Sequence, residues 1–297
     1  MATINYVQKD GALLDKKIVQ GALTSAIGVP NVDLVNGGKS FTLRTINTSG
    51  FKPHTRNKGF NEGSYKDDPK VYTMGQDRDI EFYIDKQDVD ETDEELAMAN
   101  ISNQFITNQV TPELDAYRFS KLAKTAAETD KHSVEGEITN ENAYAAIKDG
   151  LKLVRKYGQQ NLTAFVSTNT MDALERSKEF NRQITNQNVG LTALESRVTS
   201  VDGVQLIEVW DPARFMTAYD FADGFKPADD AQEINFLIVN KPSIIQVVKE
   251  NAVFLFAPGE HSQGDGYLYQ NRLYHDLFVR EQSKDGLFVN LSPKAEA

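Results

Sequence analysis

Four histidines, His54, His132, His261 and His275, come first, because imidazole titrates near neutral pH and ligates metals. They stand far apart. None belongs to a His-Glu-X-X-His pair or a close cluster that would aim two ring nitrogens at one ion. His275 sits inside an alternating strand pattern, which predicts a core or pairing residue. His261, in PGEHSQGDG, reads as a solvated loop residue. Gly38-Lys39-Ser40 imitates the end of a phosphate-binding loop, but Asp33 stands where that pattern needs Gly, and a strand pattern follows where a helix should start. The acidic run Asp88, Asp90, Glu91, Asp93, Glu94 and Glu95 lacks the alternating spacing of a calcium loop; carboxylates at a helix start account for it. Asp223, Asp229 and Asp230 read as a solvated loop. There is no Gly-X-Ser-X-Gly elbow, and no pair of acids stands out for glycoside hydrolysis. With no Cys in the sequence, disulfides, thiolate metal sites and cysteine nucleophiles are excluded. The expectation is a chain with no catalytic residue, no cofactor and no metal. A soluble hydrolase or transferase would need a pocket of converging polar groups to displace it.

The surrounding composition fits an ordinary folded chain. Of 297 residues, 40% are hydrophobic and 25% charged, enough for a sizeable core. No apolar run approaches the roughly 18 residues of a membrane span, and MATINYVQKDGALLDKK has no apolar stretch that reads as a secretory signal. Without such a signal the triplets beginning at Asn47, Asn161 and Asn290 carry no meaning for glycosylation. The net charge of -11 disfavours a protein that grips phosphate, though not a wall that stands near nucleic acid.

Patterning then predicts the elements. Residues 1–36 read as a polar, partly extended arm, interrupted by Gly21, Gly28 and Pro30. FTLRTIN from Phe41 is a strand, KVYTMGQDRDIEFYIDK a second strand region, and the Gly- and Pro-rich stretch between them the tip of an extended β-arm. In the second region Arg78, Ile80, Phe82 and Ile84 share one face. Thr92 and Glu95 form a capping box ahead of a helix striped by Met98, Ile101 and Phe105. Thr111-Pro112 reads as an N-cap and first helical position, so residues 93–126 form one helix kinked there, or two end to end, about 50 Å long. An αβαββ run follows over 137–232, with Asp202-Gly203 as a hairpin turn. INFLIVNKP is a central strand, SIIQVVKENAVFLFAP a short helix or strand and then a strand, and YLYQNRLYHDLFVRE alternates cleanly. Lys284-Asp285-Gly286 turns the chain so that LFVNL pairs back.

This order of pieces resembles the major capsid proteins of tailed bacteriophages, whose HK97-like fold is also that of encapsulins. The text itself is similar in two places to capsid proteins from phages of Gram-positive bacteria: TPELDAYRFSKLA at 111–123, and the ending over 234–289, above all NRLYHDLFV at 271–279. The resemblance implies an α+β, HK97-like capsid fold. Residues 1–36 would be its N-arm, 37–87 the extended β-arm called the E-loop, 88–136 the P-domain region with its long spine helix, 137–232 the A-domain, and 233–297 the closing strands of both domains. It implies a structural protein that assembles with itself into pentamers and hexamers of an icosahedral shell. The alternative on the same fold is an encapsulin-like cargo shell. Implied partners are a scaffolding protein, expected as a separate chain because this one has no room for a scaffolding region, and a portal protein at one vertex. Packaged double-stranded DNA would lie nearby without sequence-specific contact, and no membrane is involved. The expected location is the virion, with assembly in the host cytoplasm. At the arm tip Phe51 and Phe60 would supply apolar contact to a neighbouring subunit, and Arg56, Lys58 and Lys66 would face its carboxylates. The founding member's Lys–Asn cross-link is not expected: Lys52, Lys58, Lys66 and Lys70 are available, but no partner Asn and acid can be placed.

Overall fold

A computed structural model describes residues 22–27, 38–54, 56, 59–87, 98–177 and 200–294. In chain order, a short 3-10 turn at Leu23–Ala26 precedes β1 (Ser40–Thr48), β2 (Tyr65–Thr73) and β3 (Gln76–Ile84). Helix α1 (Met98–Phe105) runs through a π turn at Ile106–Val110 into α2 (Thr111–Ala127). Next come β4 (Ser133–Glu135), α3 (Ala143–Val154), β5 (Leu162–Ser167) and α4 (Thr168–Arg176). Strands β6 (Ser200–Val201), β7 (Val204–Val209), β8 (Tyr219–Asp220), β9 (Lys226–Pro227), β10 (Ile234–Asn240), β11 (Ile244–Phe256), β12 (Tyr267–Val279) and β13 (Leu287–Leu291) complete it. The described residues therefore form a mixed α+β fold.

The centre is a six-stranded sheet in the order β4-β13-β10-β5-β7-β6. INFLIVN is apolar at nearly every position because β10 is covered on both faces. Leu237 and Val239 point into a core with Phe119 and Leu122 of α2, while Phe236 and Ile238 point into a second core with Ile147, Leu151 and Leu174 of α3 and α4. Gly150 lets α3 approach this sheet: a Cβ there would lie 2.7 Å from Phe288. The Asp202-Gly203 turn joins β6 to β7 with both residues at positive φ (50° and 78°), as that dipeptide predicts. The sheet takes strands from both sides of residues 137 and 232.

Four sequence expectations need correction. The second strand region is two strands, not one. It breaks at Met74-Gly75, so that β2 pairs with β1 while β3 pairs with β12. The polar stretch also yields to pairing earlier than expected, since β2 begins at Tyr65. Thr111 is no N-cap: Val110 and Thr111 both have helical φ/ψ, and the chain passes Pro112 without a break. A π turn absorbs the missing proline N–H instead, with the Thr111 N–H and hydroxyl both given to the Ile106 carbonyl. Finally, LFVNL does not pair back on β12. It joins β10 antiparallel and β4 parallel, because its residues are buried on both faces and the centre of the large sheet can cover both. The capping box and the acidic run 88–95 lie outside the described residues.

Candidate functional site

The described residues that stand out are on a projection. Strands β1 and β2 pair over nine rows, Ser40↔Thr73 to Thr48↔Tyr65, and at about 3.4 Å per residue they extend roughly 30 Å. Such a two-stranded ribbon has two open edges; its charged residues and Pro69 discourage stacking with other ribbons. Its base is apolar and fixed. Phe41 stacks on Tyr72 at 5.4 Å, and Phe278 meets both edge-on at 5.2 and 5.3 Å, over Ile245, Val247 and Tyr274. Two polar ties hold the ribbon's flank to the turn after β12: Lys70 pairs with Glu281, and Gln282 Nε2 donates to Asn47 Oδ1 at 3.1 Å. Lys284 and then Lys70 hold the Glu281 carboxyl below the usual carboxylate range. The pairs are largely solvated, so the aromatic base fixes the arm more than they do.

The far end closes on itself through polar bonds. Ser49 N–H donates to the Ser64 carbonyl at 2.8 Å and Ser64 N–H to Ser49 Oγ at 2.9 Å. Beyond them Lys52 Nζ donates to the Glu62 carbonyl and Asn61 Nδ2 to the Pro53 carbonyl, each at 2.9 Å. This leaves the aromatics uncovered: Phe51 is 111% exposed and Phe60 98%. Burying one such side chain is worth about 1.5–3 kcal/mol, which the isolated chain forgoes at each. Arg56 is exposed on the same tip. Lys66 belongs to β2, one row in from the ribbon's far end, and pairs there with Asp68 at 3.4 Å; Lys58 lies outside the described residues.

Behind the arm, the sequence reading missed two buried polar groups. Asp115, on α2 and 0% exposed, accepts from Leu23 N, Thr24 N and Thr24 Oγ1 at 3.0, 3.0 and 2.7 Å; it thereby fastens residues 22–27 to the long helix. Arg118 Nη1 donates to Thr24 Oγ1 at 3.1 Å, and burial pulls its guanidinium down to about 10. On β12, Asp276 accepts from Tyr117 Oη at 2.8 Å, from Gly75 N at 2.9 Å and from Lys121. Burial, and then Asp276, pushes the Tyr117 hydroxyl up. The only signal in sequence was a charged residue at an apolar position of each pattern. Arg78 also ties three elements together: Nε donates to Glu113 at 2.8 Å, and the other nitrogens reach the Phe221 and Gly224 carbonyls. Burial raises the Glu113 carboxyl, against the pull of Arg78. Beside it lies a cavity of about 630 Å³, lined partly by Asp77, Asp79, Glu113 and His275.

The candidate chemistry does not converge. His54 is on the exposed tip; His132 Nδ1 bonds the Leu287 carbonyl at 2.6 Å; His275 is buried in β12. His261 is more than a solvated loop residue. Its Nε2 bonds the Gly266 carbonyl at 2.8 Å and its ring meets Tyr83, so it shapes the β11–β12 turn. Among the described residues no three His, Asp or Glu side chains gather as a metal site. Gly38-Lys39-Ser40 leads straight into β1.

No family model and no curated protein sequence matches the chain. Solved structures do. The asymmetric unit of the bacteriophage PhiM1 mature capsid superposes with a TM-score of 0.65 at 18% identity, covering 90% of this chain and 86% of that one. The capsid of the cyanophage P-SCSP1u gives 0.62 at 12%, covering 90% and 88%. A virus-like particle from Pyrococcus furiosus gives 0.51 at 10%, covering 96% and 99%. The chain has the HK97-like fold of phage capsid shell proteins over most of its length.

Proposed function

We propose that this protein is a shell subunit whose work is geometric: copies associate as pentamers and hexamers into a closed icosahedral wall around phage DNA. The observation that carries the reading is the arm. A hairpin about 30 Å long, rooted in an aromatic base and ending in two wholly exposed phenylalanines, has no use within one chain; it has one in a neighbour's surface. In this reading the arm is the E-loop, the helix pair α1–α2 the spine, and residues 22–27 the anchored root of an N-arm that reaches other subunits. Closed symmetry then follows from repeating one heterologous contact around a ring. The net charge of -11 suits a wall that neighbours DNA without sticking to it. A separate scaffolding protein and a portal at one vertex complete the assembly, in the host cytoplasm and then the virion. An archaeal virus-like particle shares the fold, so a cargo shell is the second reading; the higher TM-scores of the phage capsids favour the first.

Electron microscopy and light scattering of the purified protein at high concentration, alone and with its co-expressed scaffold, test this. Rings or shells are expected. A strictly monomeric species across all salt and scaffold conditions would overturn it.

A further inference from the structure

The arm joins the three-stranded sheet β11-β12-β3 through a pivot of two residues. β2 ends at Thr73 and β3 begins at Gln76, so Met74 and Gly75 are the whole connection between the ribbon and that sheet. A ribbon of roughly 30 Å magnifies any rotation at its root: about 10° there moves the far end by about 5 Å. The direction of the arm is therefore decided by whatever holds these two residues and the aromatic base beside them.

One polar and one aromatic contact do this, and both rest on Lys121 of α2. In the polar contact, Gly75 N–H donates to Asp276 Oδ2 at 2.9 Å. Asp276 is buried in β12, and its other oxygen accepts from Leu277 N–H at 2.7 Å, from the Tyr117 hydroxyl at 2.8 Å and from Lys121 Nζ. Among the described residues Lys121 is its one ion-pair partner. In the aromatic contact, Phe278 lies two positions along the strand from Asp276, on the same face, and meets the rings of Phe41 and Tyr72 edge-on. Lys121 Nζ stands 4.7 Å from the centre of the Phe278 ring and donates to Tyr117 Oη at 3.1 Å. Tyr117 and Lys121 are one turn apart, so a single face of the helix carries the whole contact. The remaining bonds at the pivot, Met74 N–H to the Lys39 carbonyl at 2.9 Å and Tyr274 Oη to the Met74 carbonyl at 3.4 Å, tie it to the foot of β1 and to β12, not to the helix.

We propose that Lys121 is a positioning residue for the arm: acting through Asp276 on Gly75 and through Phe278 on the aromatic base, it fixes the arm's direction relative to α2. A buried carboxylate that loses its cation turns toward water, and Asp276 takes the Gly75 bond with it when it turns. The helix and the arm then no longer move as one body. The proposal concerns contacts within one chain and goes beyond the shell reading, so it holds or fails whether or not copies assemble.

The absence of native Cys lets spin labels be placed in pairs. One pair joins Thr48→Cys, exposed at the far end of the ribbon, to Lys124→Cys, exposed on α2. A control pair joins Lys124→Cys to Lys152→Cys, exposed on α3. Labelled chains diluted in excess unlabelled protein report only distances within one chain, by pulsed electron resonance. With Lys121 in place the arm pair should give one narrow distribution. Lys121→Met keeps an unbranched apolar stem over Phe278 and removes the charge; it should broaden the arm distribution by about 5 Å, the displacement of a roughly 10° swing, and leave the control pair narrow. Asp276→Asn should do the same, since its amide N–H₂ faces one of the donors whichever way it turns. An arm distribution of equal width with and without Lys121, or a control pair that broadens along with it, overturns the proposal. If Asp276→Asn does not fold, Lys121→Met decides, at a side chain one-third exposed.

Discussion

Acidification below about pH 6.5 should weaken the subunit through one buried histidine. His275 is 3% exposed in β12, with its ring edge-on to Tyr117 at 5.4 Å and no partner for Nδ1. Burial, reinforced by Arg118 and Lys121 and opposed by Asp276, pulls the imidazole from 6.5 down to about 3. Between those values the unfolded chain binds a proton that the folded one refuses. Stability therefore rises with pH across that window, is fully present above about 6.5, and falls as the pH drops below it. At pH 5 the unfolded imidazole lies about 1.5 units above the pH, which at 1.36 kcal/mol per unit removes about 2 kcal/mol. The perturbation is His275→Phe, which keeps a ring against Tyr117 and forfeits no bond at Nδ1. Urea unfolding of unassembled subunits at pH 7.5 and pH 5.0 gives the double difference. Wild type should lose about 2 kcal/mol more than the variant between the two. Equal losses in both proteins would mean that His275 takes its proton without resistance, and the buried, cation-flanked environment assigned to it would be wrong.

Three further outcomes follow from the packing. Gly150→Ala gains about 1 kcal/mol of helix propensity but pushes a methyl to 2.7 Å from Phe288; overpacking of about 1–3 kcal/mol should win, and a stabilised variant in urea melts would refute the close approach of α3 to β13. Asp115→Ala leaves Arg118, Thr24 and the Leu23 N–H facing an empty site, and should cost about 3–5 kcal/mol and open residues 22–27 to proteolysis; unchanged cleavage there would contradict the anchor. Replacing residues 50–63 with Asn-Gly between Ser49 and Ser64, which already exchange hydrogen bonds, should leave the melting temperature within a few degrees while particles disappear from electron micrographs. Particles from that variant would remove the tip from assembly.

Local patterns were legible where local physics decides. An Asp-Gly pair adopts positive φ at low cost, so the β6–β7 turn could be read directly. A continuous apolar run such as INFLIVN has to be covered on both sides, so β10 was readable as a central strand. The alternation through NRLYHDLFV marked a strand with His275 inside it. Resemblance, not periodicity, pointed to the capsid fold, because the order of arm, long helix, mixed region and closing strands admits other topologies.

What the sequence could not decide was which strand pairs with which. LFVNL is as good a partner for β12 as for β10; only the assembled sheet, with β4 already beside it, selects the second. The break at Met74-Gly75 is likewise invisible in a run that alternates on both sides. It exists because β2 must follow β1 outward while β3 must follow β12. Pro112 announced an interruption, but whether the helix breaks or widens depended on a Thr hydroxyl reaching the Ile106 carbonyl. Glu81 of β3 and Phe254 of β11 lie more than 160 positions apart in the chain, and only pairing through Gln270 of β12 sets them in one row of a sheet. Residue types and their periods determined the elements, since those depend on neighbours within a few positions; long-range hydrogen bonding and burial determined the surfaces, since these depend on contacts that no short window of sequence contains.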